Sequence, residues 1–392
     1  MGFMTNTTTK RVFGLRSVTG ALSAAVTAAV LIVNVAGAAT AGHAHPSTAS
    51  VVDLELYSAQ GYDSYVVNAF NAAHPGIHVS LNDNSTGTLL TQIAAEQASG
   101  HPVWNMMWAD GATWAAQFDI NGWSVKNLIP VKNNIAFDTA GTQNLPADRS
   151  FIPTGVTETG ALCSDTAYTS SQHATLPTTF AGLVNLPNGF LGMNNPSLSG
   201  PTYPLIAGEM AHLAGIKSST TFAASAAQIT KGIKAGEAFL TALKANGLQV
   251  HNTNGPTLGA LEANPATLGA ATIQSSACYG DIAAGYWPTG HVSYLDYSVE
   301  LPSTIAVSKD VTPAQLAAAK TFIAYVDSAT GQQKMQAGDP QGDGLFWPVI
   351  KNVAPESGLP SFATVKAYAI NPYVWGPFQD VIDAWFTANI IN

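Results

Sequence analysis

Positive charge is what this sequence has least of. Fifteen Lys and Arg stand against 24 Asp and Glu in 392 residues. Three of the fifteen (Lys10, Arg11 and Arg16) precede position 17, while every acidic residue lies beyond Val52. Without that first segment, 12 basic residues face 24 acidic ones, a net charge near −12. Such a surface excludes nucleic acid and anionic membranes as partners. No Lys or Arg occurs between Ser17 and Lys126, and Arg149 is the only Arg beyond Arg16. An ionic clamp for an anion is therefore missing from the first third of the chain.

Cysteine is almost as scarce. Cys163 and Cys278 are the only two, and neither sits in a CxxC spacing, which argues against structural zinc. In an exported chain they read as one disulfide, contributing about 4 to 5 kcal/mol through the loop it closes; a reactive or metal-bound pair is the alternative. Enzyme signatures are missing too. "SLSGP" lacks the glycine two before the serine that a nucleophile elbow needs. "DPQGDG" starts like a calcium loop, but Ile350 stands where a bidentate Glu is required, so it reads as a turn. Glu209 and His212 form half of a di-iron motif with no second copy and read as a solvated pair. His43 and His45 belong to a leader, with weak metal binding as the alternative. The nine His give no triad by spacing, and no cofactor motif, internal repeat or resident metal site is found.

What is present begins with the basic start and the charge-free run from Ser17 to Val52. Residues 1–41 read as an export signal cleaved near Ala38 or Ala41, followed by a flexible leader over 42–50. No Cys lies near the cleavage sites, which argues against a lipid anchor. The run also exceeds the roughly 20 residues that span a bilayer, so an uncleaved anchor is the alternative. The expected location is the periplasmic or extracellular face. Beyond it, "VVDLELYSAQG", "IHVSLN" and "VWNMMWADG" read as strands, each followed by an amphipathic helix. Strand-helix repeated three times predicts a mainly parallel sheet with helices on both faces, its ligands gathered beyond the strand ends at Ser58 to Gly61, Asn82 to Gly87 and Trp108 to Gly111. The length suits two lobes. Further on, "SVELPSTIAVSK" reads as a strand, Thr312 to Met335 as one long helix, and "PYVWGPFQDVIDAWF" as a last helix.

The succession "LELYSAQGYDSYVVNAFNAAHPGIHV", "STGTLLTQIAAEQ", "WADG", "NNPSLSGPTYPLIAG", "IQSSACYG" and "LPSTIAVSKDVTPAQLAAAKTFIAYVDSATGQQ" resembles the extracellular solute-binding proteins of bacterial ABC importers. More narrowly, it resembles the branch for ferric iron, 2-aminoethylphosphonate, thiamine and polyamines. The resemblance implies an α/β, two-lobe, periplasmic-binding-protein-like fold of type II. Each lobe would be a mixed, mainly parallel sheet flanked by helices, with the ligand cleft between the lobes. Lobe one would take 51–150 and 295–335, lobe two 151–294, and 336–392 would pack on lobe two and the hinge. Both cysteines then fall in lobe two. The function implied is capture of a small oxyanion-bearing solute, a ferric complex or an aminoethylphosphonate-like compound, by lobe closure and its delivery to a membrane permease. A monomer is expected, and no catalysis; an exported enzyme or a ligand sensor on the same scaffold is the alternative.

Pocket positions carried over by matched motif are Ser58, Gln60, Gly61, Tyr62, Ser85, Thr86, Gly87, Trp108, Asp110, Ser199, Gly200, Thr202, Tyr203 and Tyr279. Ferric-binding members present adjacent tyrosines about where this chain has "ACYGD"; only Tyr279 stands there, so a ferric site would rest on Tyr62, Asp110 and Tyr279. The physical reading of "STG" and "LSGPT" is that two helix starts offer unpaired amides, about half a positive charge each and hydroxyl donors to an oxyanion. Asp110 with Tyr57, Tyr62 and Trp108 would receive a cationic nitrogen. Capping alone for the serines, and core packing for Trp108 and Tyr57, are the competing readings.

Overall fold

The computed structural model describes residues 50–129, 135–263 and 266–392; the export segment, its cleavage sites and the leader before Ser50 lie outside the described residues. The three expected strand-helix pairs form. They are β1 (Val52–Ser58) with α1 (Asp63–Ala73), β2 (Ile77–Asp83) with α2 (Thr86–Ser99), and β3 (Met106–Asp110) with α3 (Thr113–Ile120). β1 pairs in parallel with both β2 and β3. Strand alternation sends Leu54 and Leu56 to one face and Tyr57 to the other, and each face carries its own core. Trp108, Phe322 and Phe70 fill the first; Trp104, Trp114 and Met107 fill the second.

After α4 (Thr139–Asn144) comes β4 (Phe151–Asp165), a strand buried along its whole length. The second half follows: α5 (Thr166–Ser171), β5 (Leu191–Asn194), α6 (Thr202–Leu213), α7 (Ala226–Ala245), β6 (Gln249–His251), α8 (Asn254–Glu262), β7 (Ala270–Gln274), α9 (Ser275–Ala284) and β8 (Gly290–Ser293). β7, β5 and β6 form a second parallel set. Its two faces are again covered, by Tyr203, Met210 and Leu240 on one side and by Leu261, Ile273 and Trp287 on the other. β9 (Ser298–Val307) returns antiparallel to both β3 and β4. The continuous order is β2-β1-β3-β9-β4-β7-β5-β6, so two parallel sets are joined through the paired long strands β4 and β9. This is the two-lobe α/β architecture expected from the sequence, with antiparallel pairing confined to the crossover strands and β8.

The chain ends in α10 (Pro313–Val326), α11 (Ala329–Gly338), β10 (Ala367–Tyr368), α12 (Pro372–Trp375) and α13 (Gln379–Phe386). The single helix expected from Thr312 is two. Ser328 Oγ accepts the Gly331 amide and starts α11 afresh, a cap that competes with continuing the helix. The last helix is likewise divided, by a 3-10 turn at Gly376–Phe378 that contains Pro377. The C-terminal segment serves both halves: Phe346, Val349 and Ile350 join the first core, while Trp375, Ile382 and Phe386 join the second.

Cys163 on β4 and Cys278 on α9 form the disulfide, Cα atoms 6.3 Å apart across 115 positions, within the second half. Glu209 is not solvated as expected. It is buried against the Tyr297 hydroxyl, and burial pushes it up to about 8, while His212 stacks on the same Tyr297 ring. No helix among the described residues is long and apolar enough to cross a membrane.

Candidate functional site

The carboxyl ends of both parallel sets open onto one cavity of about 540 Å³. The first half contributes Gln60 and Gly61 after β1, Asp83 to Thr86 after β2, and Asp110 at the end of β3. The second half contributes Leu198 to Pro201 before α6, Thr253 to Gly255 at the start of α8, and Gln274 and Ala277 at the start of α9. The loop after α11 closes a further side with Asp339 and Gln341 to Asp343.

Five helices therefore begin at this cavity: α1, α2, α6, α8 and α9. Among the described residues, none of the five has a side-chain cap on its first turn. Several helices that start elsewhere are capped, as at Asp138, Ser225, Thr312 and Ser328, although α3 and α13 are not. An uncapped start leaves amides unpaired and a partial positive charge in place. At α2, Ser85 Oγ turns to the Thr88 hydroxyl at 2.8 Å instead of the backbone. The Gly87 amide donates to the Leu198 carbonyl of the other half at 3.3 Å, and the Thr86 and Thr88 amides find no protein acceptor among the described residues.

Against these amides stand four carboxylates, Asp83, Asp110, Asp339 and Asp343, with no Lys, Arg or His among the residues around the cavity. Asp110 is buried and accepts from Gln60 Nε2 at 3.1 Å and from Gln274 Nε2 at 2.9 Å. One glutamine belongs to each half, so this carboxylate ties the halves together at the cavity floor. Burial pushes Asp110 above the usual carboxylate range, and the two amides partly offset it. Asp343 Oδ2 accepts the Gly61 amide at 2.8 Å and so occupies the start of α1, while Asp339 Oδ2 accepts the Asp343 amide at 2.8 Å.

Burial first, and the Asp110 charge second, push Asp343 up to about 8, although part of its surface stays open to the cavity. The folded chain thus holds this proton more tightly than the unfolded one, whose ordinary value is 3.8. The resulting stability is fully present below about 4 and is lost as the pH rises towards 8. Thermal unfolding of the solute-free chain should show that decline, and Asp343→Asn should flatten it, gaining about 1 kcal/mol or more at pH 8. An identical decline in the variant would remove Asp343 as its source.

Of the residues expected at a pocket, Gln60, Gly61, Ser85, Thr86, Asp110, Ser199 and Gly200 surround this cavity. Ser58 lies beneath it and accepts the Gln60 amide through Oγ at 3.3 Å. Gly87 sits at its edge, where a Cβ would overlap the Ser197 carbonyl, so its missing side chain admits the other half's backbone. Thr202 is buried in the first turn of α6, and Tyr203 is buried with its hydroxyl on the Trp375 carbonyl. Tyr62 and Trp108 pack at a tilt in the core, ring centroids 5.2 Å apart, with Trp108 Nε1 donating to Thr154 Oγ1 at 2.9 Å. Tyr57 is also core, its hydroxyl on Glu96 at 2.6 Å.

Tyr279 pairs with the Tyr294 hydroxyl at 2.9 Å and is not among the residues around the cavity. The set Tyr62, Asp110 and Tyr279 is therefore not assembled around it, because the Tyr62 ring is taken up by the core and the Tyr279 hydroxyl by Tyr294. Among the described residues no group of three His, Cys, Asp or Glu is placed to hold a metal ion. Trp108→Phe should cost about 1 kcal/mol in chemical denaturation, from the lost hydrogen bond, and leave solute affinity unchanged in calorimetry. A large loss of affinity would return Trp108 to the binding surface.

Sequence reasoning placed Asp83 only within a strand end and missed Thr253 to Gly255, Gln274, Asp339 and Asp343. A usable signal existed only for the last two: "DPQGDG" is an acidic, glycine-bearing turn immediately after a helix.

Comparison with known proteins gives the same architecture. Residues 66–370 match the model of the family described as bacterial extracellular solute-binding protein. No curated protein sequence matches the chain. Among solved structures, iron-bound HitA from Pseudomonas aeruginosa aligns with a TM-score of 0.67 at 19% identity, over 85% of this chain and 98% of that one. AfuA from Actinobacillus pleuropneumoniae, with fructose-6-phosphate bound, gives 0.70 at 14%, over 87% and 99%. A periplasmic thiamin binding protein gives 0.64 at 14%, over 86% and 96%. At such identities the likeness is one of fold, and the ligands in question differ. With most of its length matched by the family model, on two parallel sets of strands whose ends face one cavity, this chain belongs to the bacterial extracellular solute-binding proteins.

Proposed function

We propose that this chain captures a small zwitterion. Its acidic group is held by helix-start amides and the hydroxyls of Thr86 and Ser199; its ammonium is held by Asp339, Asp343 and Asp110. Membership of the family makes it a solute-binding component of an importer, acting outside the cytoplasm with an ABC permease as partner. The choice of solute rests on one observation: the uncapped starts of α2, α6, α8 and α9 and four carboxylates share a cavity that has no basic side chain. Amides alone suffice for an oxyanion, while the carboxylates disfavour a ligand carrying only negative charge. An aminoethylphosphonate-like compound satisfies both ends. A bare ferric ion or ferric complex would need tyrosinates that are engaged elsewhere.

A half-molecule series tests this. In a thermal-shift titration, 2-aminoethylphosphonate should raise the melting point far more than either ethylphosphonate or ethylamine at the same concentration. At a hundred times its dissociation constant a ligand adds about 2.7 kcal/mol. Ser85→Ala combined with Thr86→Ala should weaken the zwitterion about tenfold, through lost hydroxyl contacts, while the fold persists. Equal shifts from the zwitterion and the bare phosphonate would contradict the proposed role of the carboxylates.

A further inference from the structure

A second cavity, of about 250 Å³, lies behind the crossover strands, and nothing in the solute cleft accounts for it. It sits across β9 from the cleft. Glu300 and Pro302 face this cavity, whereas Ser303 reaches Tyr62 on the other side at 3.5 Å. Its walls come from three parts of the chain: Gln143 to Ala147 from the first half, Pro204 with Thr220 and Thr221 from the second, and Ala369 to Tyr373 from the C-terminal segment. The Thr220 hydroxyl donates to the Gln143 carbonyl at 3.0 Å and links the two halves beside it. The lining is mainly apolar, with Leu145, Phe151, Ile370 and four prolines.

One charged group enters this apolar space. Glu300 is 5% exposed, and no Lys, Arg or His lines the cavity. Its carboxylate receives one amide on each oxygen, Asn144 Nδ2 at 2.6 Å and Gln143 Nε2 at 3.3 Å. A carboxylate has about four acceptor positions, so two stay open. Two neutral amides do not balance a charge in a pocket of this kind. Burial accordingly raises the Glu300 carboxyl above its ordinary value, and a cation alongside it would restore the charged form.

We infer that this hinge cavity is a second ligand site, for a small organic cation that places an apolar body against the prolines, Leu145 and Phe151 and its ammonium on Glu300. The volume fits a single-ring or short-chain amine and is below the range typical of drug-sized ligands. Because both halves supply walls, an occupant would contact both at once, and its binding and that of the cleft solute would be linked reciprocally. This inference does not rest on the zwitterion reading, since the two cavities share no carboxylate.

Benzylamine is a suitable probe, with benzyl alcohol as its uncharged counterpart, measured by ligand-observed NMR and calorimetry on the full chain. Benzylamine should bind the wild type about tenfold or more tighter than benzyl alcohol. Thr221→Trp places a ring at the exposed mouth and should weaken benzylamine about tenfold, as should Glu300→Gln. Thr221 is exposed, so the first variant keeps the test valid if the second fails to fold. Asp343→Asn, in the cleft, should leave benzylamine binding unchanged. Equal affinity for alcohol and amine, insensitivity to Thr221→Trp, or loss only in Asp343→Asn would each overturn the site.

Discussion

Gly87→Val is expected to weaken solute binding by about a hundredfold, the largest effect of any single change in the cleft. A Cβ at this position would overlap the Ser197 carbonyl and crowd Leu198, both in the other half. The Gly87 amide donates to the Leu198 carbonyl at 3.3 Å, and a Cβ on Gly200 would in turn overlap Thr86 Oγ1. A branched side chain therefore wedges the halves apart where they must meet around a solute. Overpacking of this kind costs about 1 to 3 kcal/mol, and 2.7 kcal/mol is a hundredfold in affinity. On the proposal that the halves close around a solute, the solute-free chain relieves the overlap by opening, so its melting point should barely move. Calorimetry and thermal unfolding on the same variant check the claim. Unchanged affinity would mean that this contact is irrelevant to binding, and a collapsed melting point that it is a fold contact only.

The second large effect is on stability. Removing the disulfide by Cys163→Ala with Cys278→Ala is expected to cost about 4 kcal/mol, because the 115-residue separation gives the unfolded chain a long loop to free. The bridge joins β4 to α9 inside the second half, where Leu261, Ile273 and Trp287 pack around it. It does not cross between the halves, so solute affinity should survive its loss. Denaturant unfolding gives the stability and calorimetry below the transition gives the affinity. A loss of only a few tenths of a kcal/mol would show that packing holds α9 in place without the bridge. A large loss of affinity in the folded variant would show that the bridge positions Gln274 and the start of α9.

The alternating strands and helices of the first half were legible because each strand ends in a polar turn and each helix has one apolar side. The long crossover strands were less so. β4 is buried throughout and so lacks alternation, and Pro153 and Pro302 within β4 and β9 speak against central strands. Both are accommodated, Pro153 beside a register shift and Pro302 with its carbonyl accepting the Gly111 amide at 2.8 Å. At the site, short motifs such as "STG" and "LSGPT" marked helix starts correctly, but residue type misdirected the aromatic expectations. Trp108 and Asp110 are two apart on one strand; the indole turns under the helices and the carboxylate reaches the cavity. Asp339 and Asp343 arrive from more than two hundred positions away, a proximity that only the closed topology creates.

The central claim is that helix-start amides and carboxylates, with no basic side chain, select a solute carrying both charges. Native mass spectrometry of the chain purified from its export compartment tests it most directly, by weighing what the protein has captured and identifying that molecule after release. The account predicts a small organic compound with one ammonium and one acidic group. An increment of iron, or a released molecule bearing only negative charge, would contradict it.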